Sequence, residues 1–172
     1  MFKAVGLGII LISCAGAGFA FARELTQRLC DLEMMLQISL LLKGEIQYGN
    51  ASLYDAFTAV AGKMKGKYRE FLLSVSEEMK VQKGEPFSVL FQRCARTYFE
   101  QSCLCAQEKE KLYSLGERLG YLGVDMQMKQ LTLFEKELEF SIENLQKELP
   151  ARMKIYRSLG ILSGVLLMVV LW

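Results

Sequence analysis

The side chains that could carry chemistry in this chain are few, and their spacing argues against it. Five cysteines stand at Cys14, Cys30, Cys94, Cys103 and Cys105. Cys103 and Cys105 lack the C-x-x-C spacing of a zinc knuckle, and the chain has no histidine to complete a metal site. A cysteine nucleophile needs a basic partner to hold it as thiolate, and the sequence nominates none. The lack of histidine also removes the commonest general base and proton shuttle. The stretch "GKMKGKYR", residues 62–69, has lysines and glycines but not the GxxxxGK[ST] form of a phosphate loop. It reads as a solvated basic turn, with a contact for an acidic lipid or partner as the alternative. Glu135, Glu137, Glu139 and Glu143 fall on predicted polar helix faces, where solvation and i,i+4 pairing account for them. The expectation is a non-enzyme with no catalytic residue, metal or cofactor.

With chemistry set aside, function must come from how helices are held in and under a membrane. The chain has 172 residues, 52% of them hydrophobic, and a formal charge of only +2, which suits one domain with membrane anchors. Residues 4–22 carry no charge; at about 1.5 Å per residue they nearly cover a hydrocarbon layer of roughly 30 Å and read as a transmembrane helix. Residues 158–172 are also uncharged but fewer. A second crossing follows if the helix begins near Ile155, Arg157 snorkels to the headgroups and Trp172 sits at the far interface. Arg23, Arg28, Arg152, Lys154 and Arg157 flank the inner sides of the two spans against Lys3 alone outside, which puts the intervening segment in the cytoplasm. An odd number of cysteines without a disulfide framework suits that reducing compartment. Two processing alternatives compete: Leu11-Ile12-Ser13-Cys14 has the form of a lipoprotein cleavage box, and Ala20-Phe21-Ala22 that of a signal-peptide site.

The expected layout is therefore an N-terminal transmembrane helix over residues 1–22, a cytoplasmic helical bundle over 23–157 and a C-terminal transmembrane helix over 158–172. The middle segment holds all 19 acidic residues and every Lys and Arg except Lys3, finely mixed, which is unlike a nucleic-acid surface. Leu25, Leu29, Leu32, Leu36 and Leu40 continue a helical stripe beyond the first span, so one rod is expected to reach Tyr48. In "EIQYGNASLYDAF", residues 45–57, Gly49-Asn50 ends that rod with a left-handed residue and Ser52-x-x-Asp55 starts the next helix as a capping box. Leu53, Ala56, Phe57 and Val60 form its apolar face. "KGEPFSVLF", residues 83–91, reads either as a weak repeat of this unit or as a chance match: Gly84, then Pro86 at a helix start, with Phe87-x-x-Leu90-Phe91 superposing on Leu53-x-x-Ala56-Phe57. A helical stretch over residues 94–115 ends at Gly116, Gly120 and Gly123. Leu131, Phe134, Leu138, Ile142, Leu145 and Leu149 then mark a long closing helix. Pro150 predicts a kink or short break in it. The fold class is all-α, an antiparallel bundle of about six helices. Gly160 and Gly164, and Gly18 with Ala22, place small residues four apart in the spans, either to pack the spans together or to associate with a second copy.

These features together, an N-terminal span, "EIQYGNASL", "LGERLGYLG" with Gln127 downstream, a long closing helix and a C-terminal span, resemble the stage III sporulation protein AB family of endospore-forming bacteria. The resemblance implies a bundle like the cytoplasmic domains of the inner-membrane platform protein of type II secretion and type IV pilus systems, whose helix starts "GEPFSVLF" is similar to. It implies a non-enzymatic assembly component of a channel, or feeding tube, between mother cell and forespore. The implied location is the mother-cell-derived membrane around the forespore. Implied partners are other stage III sporulation proteins, in particular a secretion-type ATPase, stage III sporulation protein AA, with self-association as a further option. The family pattern falls on Glu45, Ile46, Tyr48, Gly49 and Leu53, then on Gly116, Leu119, Gly120 and Gln127. Ser52 stands where a proline is usual, and Gly123 where an acidic residue is usual, with Asp125 displaced by two. Tyr48, if exposed beside the turn, is the best single candidate for a partner contact, with a buried staple to the next helix as the equal alternative. Gly49, Gly84, Pro86, Gly116 and Gly120 read first as turn or close-packing residues. Two other functional classes stay open: a membrane-anchored signalling adaptor, and a cleaved lipoprotein with its helical domain outside.

Overall fold

A computed structural model gives the backbone of residues 2–49, 51–81, 84–120 and 123–171. Among these, side-chain surroundings are described except for residues 2–15, 17, 157, 160–161 and 163–171. Among the described residues there are six helices and no strand: α1 (Phe2–Gly49), α2 (Leu53–Lys63), α3 (Gly66–Val81), α4 (Phe87–Phe99), α5 (Ala106–Leu119) and α6 (Val124–Leu171). Two compact units result. One comprises Met1–Cys30 and Glu143–Trp172, the other Asp31–Ile142.

The helical unit Asp31–Ile142 is nested in the expected bundle segment. Its core gathers where the apolar faces of all six helices meet. Phe57, Phe71, Phe91, Phe99 and Phe134, with Met35 and Leu42 of α1 and Leu112 and Leu115 of α5, enclose a cavity of about 20 Å³. The rings pack edge to face, as between Phe71 and Phe99 (centroids 5.2 Å apart, planes at 80°) and Phe71 and Phe91 (5.5 Å, 76°). Antiparallel neighbours are visible in the pairings: Tyr68 of α3 meets Phe99 of α4, Ser74 meets Cys94, and Glu78 meets Arg93.

Local chemistry sets the helix ends. Ser52 caps α2, its hydroxyl accepting the Asp55 N–H at 3.2 Å as predicted, while the Asp55 carboxylate accepts from that hydroxyl at 2.6 Å in place of the reciprocal backbone bond of a full capping box. At α5 the backbone N–H of Cys105 donates to Glu108 at 2.8 Å, which explains why a carboxylate is buried there. The helix expected over 94–115 is two helices: α4 stops at Phe99, and the turn through Ser102 is held by bonds back to the Phe99 carbonyl.

Several expectations are corrected. The core face of α1 runs Leu32, Met35, Ser39, Leu42 and Ile46, so beyond Leu32 the leucine stripe drifts off it, and Leu40 is 51% exposed. A strict leucine series follows the most hydrophobic letters, whereas burial also selects Met and Ser at the geometrically correct positions. On α6, by contrast, Leu131, Phe134, Leu138, Ile142 and Leu145 are all buried, as their spacing predicts. Pro150 lies inside α6, which continues past it to Leu171 without a break. Gly49 is the last helical residue of α1 and is not in the left-handed region, and Asn50, the other residue of that step, lies outside the described residues; among the described residues the positive-φ glycines are Gly66 (φ 57°) and Gly84 (φ 133°).

The unit Met1–Cys30 with Glu143–Trp172 contains the outer parts of α1 and α6. Phe21 stacks on Tyr156, centroids 5.8 Å apart, and the small residues Gly18 and Ala22 are buried. Among the described residues no helix is long and apolar enough to cross a membrane. The segments expected to span, 4–22 and 158–172, lie mostly outside the described side chains. So do Cys14, Gly160 and Gly164.

Candidate functional site

The residues singled out by motif converge on one end of the unit Asp31–Ile142, where α1 ends, α2, α4 and α6 begin, and α5 ends. The two corner sequences meet there. Phe57 of α2 lies 5.9 Å from Phe87 and 6.2 Å from Phe91 of α4, centroid to centroid, so the positions matched by the weak repeat, Phe57 and Phe91, touch. Gly116 and Gly120 of α5 lie one helical turn apart against the same two phenylalanines. A Cβ added at Gly116 would stand 2.8 Å from Phe91 Cδ1 and 2.9 Å from Phe91 Cβ, and one at Gly120 would stand 3.0 Å from Phe87 Cβ. Carbon contacts settle near 3.5–4.0 Å, so these glycines are what lets α5 seat on α4. Leu119, fully buried, ends α5, and its carbonyl accepts from the Gln127 amide of α6 at 3.0 Å. The "LGERLG" and Gln127 pattern is therefore an internal lock joining α4, α5 and α6.

Around the other corner, Gly84 supplies the positive φ before α4, with open space around it, and Pro86 is its N-cap. Glu85, next to them, takes both terminal nitrogens of Arg93 at 3.1 and 2.9 Å, and Arg93 also reaches Glu78 of α3 at 2.7 Å. These carboxylates raise the Arg93 pKa and fix the α3–α4 connection. At the α1 corner, Lys63 bridges to Glu45 at 2.5 Å, Leu53 is half-buried and a Cβ at Gly49 would make only ordinary contacts at 3.5 Å. Tyr48 stands apart from this group. Its side chain is 84% exposed at the very end of α1. Of the motif residues it is the large apolar side chain with most of its surface available to a partner.

Sequence reasoning missed two buried ion pairs. Asp31, 0% exposed, accepts from Lys67 at 2.7 Å and from the Tyr68 hydroxyl at 2.5 Å. Lys67 Nζ also lies 5.1 Å from the Tyr68 ring centroid and 5.5 Å from that of Phe99. The "GKMKGKYR" stretch is thus not only a solvated turn: Gly66 opens α3 so that Lys67 and Tyr68 clamp α3 to α1. Likewise Glu135, expected on a solvated face, is buried and receives Lys43 of α1 at 2.7 Å. Its position next to the buried Phe134 carried the signal that it flanks the core. Cys94 is buried, which pushes its thiol pKa up, with a weak Ser74 hydrogen bond in opposition. Tyr113 is raised by burial and by its bond to Glu100 at 3.1 Å. Among the described residues no three Cys, Asp or Glu gather as a metal site.

Comparison with known proteins agrees with this geometry. A family model described as stage III sporulation protein AB matches residues 3–172. The curated stage III sporulation protein AB of Bacillus subtilis (strain 168) is 25% identical over 172 residues, covering 99% of each chain. A solved structure of stage III sporulation protein AB superposes with a TM-score of 0.64 at 20% identity, covering 72% of this chain and 96% of that one, and so shares the fold. The chain belongs to the stage III sporulation protein AB family.

Proposed function

We propose that this chain is a non-enzymatic membrane platform of the sporulation machinery. It is anchored at both ends, with its helical unit in the mother-cell cytoplasm, where it organises a secretion-like channel to the forespore and contacts the channel's ATPase. The observation that carries the reading is the order of the chain: the packed all-helical unit, Asp31–Ile142, follows the uncharged segment 4–22 and precedes the uncharged segment 158–172 in sequence. Such segments enter a bilayer more readily than water, and the basic flanks at Arg23, Arg28, Arg152 and Lys154 favour the cytoplasmic side for the unit between them. Tyr48, exposed at the end of α1, suits the contact with a soluble partner such as stage III sporulation protein AA.

Co-purification tests the coupling. Tyr48→Ala and charge reversals around the corner are expected to reduce recovery of the ATPase with the tagged full chain. Undiminished recovery from every such surface variant would remove the coupling and leave only an anchored scaffold.

A further inference from the structure

On α6, Met126, Leu133 and Phe140 recur every seven residues and are 43%, 46% and 65% exposed. They lie away from the face of α6 that the core buries, as a line of exposed apolar side chains separated by the polar turns at Lys129–Gln130 and Lys136–Glu137. A seven-residue repeat is the period at which one helix keeps facing another over several turns. The residues beside the stripe differ by flank. Lys129 and Lys136 lie on one side, exposed and without an ion-pair partner among the described residues. Gln130 and Glu137 lie on the other, Glu137 only 3.7 Å from Arg118 at the edge of ion-pair range.

That asymmetry selects an occupant. If two copies meet stripe to stripe about a two-fold axis running along the helices, the lysine flank of each lies against the Gln130 and Glu137 flank of the other. Lys136 then faces Glu137 of the second copy twice over. If the copies run antiparallel, like flanks meet and the lysines oppose each other. We infer that the Met126–Leu133–Phe140 stripe of α6 is a parallel, two-fold self-association surface, its register set by reciprocal Lys136–Glu137 pairs between copies.

Three side chains cover far less than the roughly 800 Å² per partner of a stable soluble dimer. The contact is therefore weak in dilute solution and effective where copies are concentrated, as within one assembly. The inference rests on this surface alone. It survives if the membrane reading fails, although parallel helices are also what two copies leaving the same membrane require.

Single cysteines in the full chain, purified in mild detergent with the native cysteines replaced, test it. Leu133→Cys and Phe140→Cys are each expected to cross-link to themselves between copies about tenfold faster than Glu77→Cys on α3, with Leu133-to-Phe140 mixed links slow. Reversed preference, with mixed links fast and self-links slow, would establish antiparallel pairing and overturn the proposal, as would rates equal to the Glu77→Cys control. Should cysteine replacement unfold the chain, charge variants in the native background decide by sedimentation. Lys136→Glu and Glu137→Lys are each expected to weaken association about fivefold, and the double exchange to restore it. No loss in the single variants, or no recovery in the double, counts against the pairing.

Discussion

Gly116→Ala is the sharpest probe of the interlocked corner, because on an ordinary helix the change would stabilise. Gly116 lies inside α5, where replacing glycine by alanine gains about 0.5–1 kcal/mol from reduced backbone freedom in the unfolded chain. Against this, the new methyl would meet three atoms of Phe91 at 2.8, 2.9 and 3.0 Å, well inside the 3.5–4.0 Å of a comfortable contact. One of these atoms is the Phe91 Cβ, fixed to the backbone, so rotating the ring does not relieve the overlap. Phe91 itself is 2% exposed and packed against Phe57, Phe71 and Phe87. Helix α4 must therefore shift, at a typical overpacking cost of about 1–3 kcal/mol. The net expectation is destabilisation of about 1 kcal/mol, or a fall in Tm of roughly 2–4 °C for a chain of this size. Thermal unfolding of the full chain in detergent, followed by far-ultraviolet circular dichroism, measures it. Pairing Gly116→Ala with Phe91→Leu should recover part of the loss, since the smaller side chain yields to the methyl. A Tm for Gly116→Ala equal to or above the native value would refute the close-packing argument.

Other outcomes follow from the same packing. Lys67→Met removes the Lys67 cation from Asp31, buried beside Tyr68; discounted for the partial exposure of Lys67, a loss of about 2 kcal/mol is expected, and denaturant titration showing no change would remove the clamp from the account. Ser52→Ala should cost about 1 kcal/mol by uncapping α2, whereas Tyr48→Ala should leave the melting curve unchanged because that side chain is in solvent. Burial raises the Cys94 pKa, so the folded chain holds its thiol proton more tightly than the unfolded chain. The resulting stability is fully present below the ordinary thiol value and declines as pH rises past it, and thiol labelling at mildly alkaline pH should reach exposed Cys30 well before Cys94.

Periodicity and end chemistry made the architecture legible. The 3,4 spacing of α6 named its buried face from Leu131 to Leu145, with Leu149 only half-buried, and Ser52 announced a hydroxyl cap that forms. The resemblance carried the glycine motifs, but their physical role needed coordinates: Gly116 and Gly120 are glycines because of Phe91 and Phe87, which lie about thirty residues earlier on another helix. The stripe of α1 was misread beyond Leu32, since leucine is frequent enough to mimic a face that Met35, Ser39 and Ile46 in fact share with Leu42. Long-range charge pairs were equally out of reach. Lys67 with Asp31 and Lys43 with Glu135 are separated by 36 and 92 residues, and nothing local distinguishes these side chains from the solvated lysines and glutamates around them. The intrinsic cost of Pro150 predicts a kink or a short break; α6 carries through it, which removes the break.

The central claim is that the helical unit lies in the cytoplasm between two anchors, and side-specific thiol labelling tests it most directly. Cys30 is exposed at the inner flank of the first expected span, and Cys103 is partly accessible in the α4–α5 connection. In intact protoplasts expressing variants that keep one of these cysteines, a membrane-impermeant maleimide should fail to label either until the membrane is permeabilised. Labelling of Cys103 from outside intact cells would contradict the account and place the helical unit on the other side of the membrane.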